Sequence, residues 1–214
     1  MLPILVASAL FFDFLNGFHD SANIVATVIA SRALSPRQTL ALTAIAELAG
    51  PFLFGVAVAK AVGDGLIDAH AITLPVVVAA VWAAIIWNLI TWYLAIPSSS
   101  SHALVGGLVG AAFFSSGWQV IRLAGLLKIL LALFISPPLG LAVGFLLMRL
   151  ILFLGRAATP KINVFFKRAQ IVTSVGLALS HGTNDAQKTM GLITLGLVVS
   201  GSIPSFQVPL WVIL

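Results

Sequence analysis

Cysteine is missing from all 214 residues, so disulfides are excluded. Charge is nearly as scarce. Only 8% of residues are charged and six are acidic, where a soluble domain carries about 25% charged residues. That shortage excludes an ordinary water-soluble globule. Regular apolar–polar alternation is lacking too, which argues against β-barrel strands. Residues 1–12 are apolar without a basic start or a small-residue cleavage site, so no cleavable signal peptide is expected. What is present is grease: 60% hydrophobic residues and a mean hydropathy of +1.14. The net charge of +5 fits Lys and Arg gathered in the cytoplasmic loops of a membrane protein, and no nucleic acid is expected as a partner.

The apolar stretches are 2–15 with 21–31, 38–62, 72–96, 103–114, 119–136, 138–154, 169–180 with 189–200, and 207–214. About 20 residues of helix cross a hydrocarbon core. The fold class expected is all-α: a polytopic membrane protein. The first segment is expected to break at Asn16-Gly17 and the seventh around His181-Gly182, since broken helices are tolerated where they line a cavity. Residues 103–114 are too short to span and follow "IPSSSSH". Residues 98–117 are therefore expected to form a Ser-rich re-entrant hairpin or half-helix, with Pro97 and the serines as its cap.

Charge orients these segments. Arg32 and Arg37 lie in loop 31–38, and Arg156, Lys161, Lys167 and Arg168 in loop 155–168. Asp64 and Asp68 face a single Lys60 in loop 60–71. If 98–117 returns to the side it entered from, loops 31–38, 97–122 and 155–168 share the cytoplasmic face. Five crossings (1–31, 38–62, 72–96, 119–136 and 138–154) then precede loop 155–168. The first and seventh segments run in opposite directions, as an inverted repeat requires.

Two stretches inside that grease share a pattern. "NGFHDSANIVAT" (16–27) and "HGTNDAQKTMG" (181–191) both place an Asp three residues after a Gly: Gly17 to Asp20, and Gly182 to Asp185. Asp13 and Glu47 also fall in apolar segments. Ionisable groups there are expensive and face a cavity, a partner or a pathway, or else snorkel from a helix end. Hydroxyls, amides and helix N-termini suit an oxyanion. A carboxylate beside such an anion is repulsive unless it is protonated or holds a cation. The set therefore suggests an anion moved together with H⁺, Na⁺ or a divalent metal. The spacing of His19, His102 and His181 matches no metal motif. Lys188 could bind the anion or pair with Asp185, and Gly106 and Gly110 could form a close packing face.

"NGFHDSANIVATVIASRALSP", "PSSSSHALVGGLVGA" and "HGTNDAQKTMGLI" resemble, in order, the motifs of the PiT family of inorganic phosphate transporters. The resemblance implies import of inorganic phosphate by cation-coupled symport, through two inverted repeats with the substrate site at their interface. Residues 1–154 would form the first repeat, 155–168 the basic loop, and 169–214 the opening of the second. By matching position, Ser99, Ser100, Ser101, Asn23, Asn184 and Gln187 are the expected phosphate ligands. Asp20, Asp185, Asn16 and Ser21 are the expected coupling-cation residues. The family has a further Ser/Thr-rich hairpin after the second motif, whereas this sequence stops at "VPLWVIL". Expected partners are phosphate, Na⁺ or H⁺, a divalent metal if it travels with phosphate, the lipid bilayer of the cell membrane, and a second copy in a homodimer. No cofactor and no enzymatic activity are expected. The rival readings are an intramembrane serine hydrolase using one of Ser98 to Ser101 with one of the histidines and an Asp, though no Gly-x-Ser-x-Gly elbow is present, and a passive anion channel.

Overall fold

A computed structural model describes residues 1–69 and 71–213, so the last residue of the 207–214 run lies outside the described residues. The chain is helical, with α1 (Leu2–Ala30), α2 (Pro36–Phe54), α3 (Ala57–Gly63), α4 (Leu74–Tyr93), α5 (Ser100–Ser116), α6 (Leu123–Gly155), α7 (Ile162–Val199) and α8 (Leu210–Ile213). Helices α1, α4 and α6 are each long and apolar enough to cross a membrane, and α2 with α3 passes as one bent span. The all-α, polytopic reading stands.

The breaks lie elsewhere than expected. Helix α1 runs unbroken through Asn16-Gly17, and α7 through His181-Gly182. Glycine weakens a helix in water, but in lipid every peptide group needs a partner, and an uninterrupted helix supplies it. Helix α6 also continues, although each of its two prolines leaves a carbonyl one turn earlier without its helical N–H partner. The two crossings expected at 119–136 and 138–154 are one 33-residue helix that continues through Pro137 and Pro138. The observed break is between α2 and α3, which meet at 79°. Gly55 ends α2 with φ 75°, a conformation glycine adopts readily. The donor freed by the turn, Val58 N–H, is taken by Gln187 Oε1 at 2.7 Å.

Helices α4 and α5 together form the re-entrant hairpin. At its base, Ser116 Oγ donates to the Ala71 carbonyl at 3.3 Å. Beside it, Ile67 and Ile121 form an antiparallel bridge, and Arg122 Nη1 lies 3.1 Å from Asp64 Oδ1. Residues 117–122 therefore sit with the acidic loop, not with the basic loops as expected for 97–122. At the hairpin's other end, Ser98 and Ser100 reach Asn16 to Asn23, near the middle of α1. About ten further residues of α1, or roughly 15 Å of helix, continue past that point.

These differences offset one another. One crossing fewer in α6, and a hairpin based on the acidic face, still bring loop 156–161 to the side of loop 31–35. Contacts confirm the directions. Thr189 bonds Asp13 and His181 meets Asp20, so α7 runs antiparallel to α1. Leu5, Phe12, Val77, Ala84, Leu104 and Leu192 form the core where α1, α4, α5 and α7 meet. Helix α6 buries no residue, and its apolar surface matches lipid.

Close approach inside the hairpin falls on a different glycine from those expected. A Cβ on Gly107 would run into the Ala80 carbonyl of α4, whereas Gly106 and Gly110 have nothing within 4 Å. Gly107→Ala is expected to cost about 1–3 kcal/mol by overpacking. Gly106→Ala and Gly110→Ala should hold or raise the melting temperature of the detergent-solubilised protein, because alanine restricts the unfolded chain. The bent span gives a second expectation. Gln187→Leu leaves the Val58 N–H unpaired and should lower stability by about 1–3 kcal/mol, measured on the same melting curves.

Candidate functional site

The sequence places four acids in apolar helices, and the fold gathers them. Asp13 and Asp20 stand on α1, Glu47 on α2 and Asp185 on α7. Close packing makes this possible. A Cβ on Gly182 would strike the backbone of Glu47, so a glycine there lets α2 and α7 touch. The neighbouring His181 becomes the centre of the cluster. Its Nε2 lies 3.5 Å from Asp20 Oδ2, and its Nδ1 lies 3.4 Å from Glu47 Oε1 and 3.3 Å from Asp185 Oδ2.

Asp185 has a second basic neighbour. Lys188 Nζ is 2.7 Å from Asp185 Oδ1 and donates to Ser100 Oγ at 3.0 Å. Contacts thus run from Asp20 through His181, Asp185 and Lys188 to Ser100, joining α1, α7 and the hairpin tip. Thr189 Oγ1 donates to Asp13 Oδ1 at 3.0 Å on one flank. Four carboxyl groups face one lysine and one imidazole, so the cluster holds more acid than base. Single ligand atoms of Asp20, His181 and Asp185 all lie within 4.8 Å of one another, close enough to share a cation.

Asp20 and Ser100 also line one cavity of about 490 Å³, between α1, α4 and the tip. The other polar walls include Asn16, His19, Asn23, Asn88, Thr91 and Ser98. Asn16 is 1% exposed and both of its amide atoms lack a hydrogen-bond partner; Asn88 is 3% exposed and its Nδ2 is likewise unpartnered. Buried amides normally find partners, so two unpartnered ones on residues lining one cavity mark it as a candidate ligand site. On the opposite side of the cluster, Asp13, Glu47, His181 and Asp185 border a second cavity of about 390 Å³.

The residues singled out in the sequence divide accordingly. Asn16, Asp20, Asn23 and Ser100 meet at the first cavity. Ser99 is instead the N-cap of α5, accepting from the His102 N–H at 3.4 Å. Ser101 and Asn184 line a different pocket beside Lys128. Gln187 closes the α2–α3 break, Ser21 is not among the residues lining that cavity, and Asp185 stands behind it. Sequence reasoning passed over Asn88. The available signal was a lone amide in the otherwise apolar run "VVVAAVWAAIIWNLI". It also left Glu47 and His181 unassigned, because nothing in their spacing shows that α2 packs on α7.

Known proteins resemble this chain in sequence and in fold. A profile of the phosphate transporter family matches residues 16–159 and 154–214. A probable low-affinity inorganic phosphate transporter of Rhizobium meliloti is 43% identical over 216 residues, covering 100% of this chain and 65% of that protein. Its Bacillus subtilis counterpart is 41% identical over 213 residues, covering 98% of this chain and 64% of that protein. The low-affinity inorganic phosphate transporter PitB of Escherichia coli is 35% identical, covering 92% of this chain and 46% of that protein. The chain thus spans less than two thirds of these relatives. A solved structure described as a sodium-dependent phosphate transporter shares the fold, with TM-score 0.88 at 22% identity, covering 99% of this chain and 72% of that one. The relatives are named as transporters, not enzymes, and the apolar helices place the chain in the cell membrane as a multi-pass protein. The chain belongs to the phosphate transporter family.

Proposed function

We propose that this chain carries the substrate site of a secondary transporter that imports inorganic phosphate in symport with a cation. One observation carries the reading: a mid-membrane cavity walled by unpartnered amides adjoins a cluster with more acid than base. Asn16, Asn88, Ser98 and Ser100 present neutral donors to an oxyanion, and Asn23 lies on the same wall. Neutral donors bind an anion without a fixed positive charge in the cavity wall, and a co-bound cation supplies the missing charge. Asp20 belongs to both the cavity and the acid cluster, so it is where the cation and phosphate meet. Residues 1–154 serve as the first repeat and 169–214 as the opening of the second, with α1 and α7 as their antiparallel counterparts.

A serine-hydrolase reading needs a histidine to take a serine's proton, and Ser100 Oγ is engaged by Lys188 Nζ instead.

Uptake of radiolabelled phosphate into proteoliposomes, with Na⁺, H⁺ and Mg²⁺ gradients imposed separately, tests the proposal. One of these gradients should drive accumulation above equilibrium; uptake that only equilibrates indicates a channel, and transport of sulfate but not phosphate overturns the substrate. Asn16→Ala and Ser100→Ala should each weaken phosphate binding about ten- to a hundredfold, the cost of one hydrogen bond to a charged group. Ser99→Ala should lower stability and leave affinity unchanged. Asp20→Asn should abolish concentrative uptake while phosphate exchange persists, and unchanged ion dependence in that variant would sink the coupling role.

A further inference from the structure

We propose that Lys188 is a tethered cation: its ammonium occupies the place of a bound ion between α7 and the hairpin tip, and so sets how many free cations phosphate binding requires. The inference rests on the transport reading above.

The geometry is that of an ion site filled from within. Lys188 is 3% exposed, and its Nζ lies between a carboxylate oxygen, Asp185 Oδ1 at 2.7 Å, and a hydroxyl, Ser100 Oγ at 3.0 Å. One anionic and one neutral oxygen, contributed by different helices, are what a small monovalent cation would bridge. An ion held there would fasten the tip to α7 only while bound. The lysine side chain is covalently attached and fastens it through the whole cycle. Ser100 also lines the phosphate cavity, so the fastening positions a wall of the substrate site.

Comparison of the two motifs supports the same conclusion. Aligned on their aspartates, Asp185 is followed three residues later by Lys188, and Asp20 by Asn23. The fold uses both positions. Lys188 turns back onto its own aspartate, whereas Asn23, which carries no charge, lines the cavity beside Asp20. One aspartate therefore has a built-in ammonium counter-charge. The other has only His181, which it shares with Glu47 and Asp185. Asp185 already has its counter-charge, so the exchangeable cation belongs on the Asp20 side of the cluster.

The test removes the tether and asks whether a free ion replaces it. Phosphate affinity of the purified protein is measured against Na⁺ concentration, with choline holding ionic strength constant, for the parent, Lys188→Ala and Lys188→Arg. In Lys188→Ala, affinity in choline should fall at least about tenfold, as for a broken buried ion pair. Na⁺ or n-propylammonium should restore it, and the slope of log affinity against log Na⁺ should steepen by about one relative to the parent, the signature of one additional linked ion. Lys188→Arg, which keeps a tethered charge, should retain the parent slope. The melting temperature of Lys188→Ala should rise with Na⁺ or n-propylammonium more than that of the parent. The proposal is overturned if Lys188→Ala binds as the parent does in choline, or if its loss, or a failure to fold, is relieved by no cation. Should the parent bind no phosphate, the transport reading fails, while the cation dependence of melting still decides the role of Lys188.

Discussion

A buried ammonium 2.7 Å from a buried carboxylate is the constraint around which the rest is arranged. Neither charge could be left alone in a low-dielectric interior, because breaking such a pair strands the survivor. The pair is carried by one helix, α7, at Asp185 and Lys188, so it forms without help from elsewhere. Its spare capacity then recruits neighbours. The second oxygen of Asp185 meets His181, which meets Asp20 and Glu47, and the ammonium takes Ser100. Helices α1 and α2 and the hairpin tip are all oriented by contacts that begin at this pair. Apolar packing of Leu5, Phe12 and Leu192 supplies the bulk of the core, but packing alone would not fix the rotation of α7 that points Asp185 at the cluster.

Hydrogen-bond satisfaction decides where helices break. Weak helix formers sit in the middle of α1 and α7, and two prolines sit within α6, yet all three helices continue. In lipid the alternative to a helical peptide bond is an unpaired one. The chain turns at Gly55-Val56, where a side chain is in place to accept the freed donor: Gln187 at Val58. A residue that resembles a phosphate ligand by its motif is thus occupied in holding a bend. Much the same holds for Ser99, whose hydroxyl caps α5 while Ser98 and Ser100 on either side face the cavity.

The sequence made the composition-level features legible: all-helical, membrane-spanning, with acids that need a reason to be there. It also located the Ser-rich turn to within a residue or two of the start of α5 at Ser100. Crossing count was less secure. The re-entrant unit is expected at 98–117, whereas α4 pairs with α5 along the whole hairpin, and two crossings are expected at 119–136 and 138–154, where α6 is one helix. Those two misreadings cancel, so the opposed directions of α1 and α7 stand although the path between them differs. Pairings across helices were out of reach. That Glu47 meets His181 depends on a glycine contact between α2 and α7, and that Asn88 shares a cavity with Asn16 depends on how far the hairpin reaches. Neither is written in a spacing along one helix.

The two motifs match in pattern but differ in duty. Gly17 has open space around it, whereas Gly182 is pressed against the backbone of α2. Asn16 in the first motif has an amide without a hydrogen-bond partner; His181, at the matching position of the second, sits among three carboxylates. Asn23 stays neutral where Lys188 brings charge. Each difference has the same direction: the first motif keeps polar groups available, and the second consumes its own. Equal sites would both be open to ligand and would leave four carboxyl groups in the membrane to be neutralised from outside. By giving Asp185 its own ammonium, the chain lowers its demand for external charge by one and leaves Asp20 open on the side of the first cavity. On the proposed transport reading, a cation entering there would lower the cost of the anion, and the anion would lower the cost of the cation. Such mutual dependence is what coupling between two solutes requires.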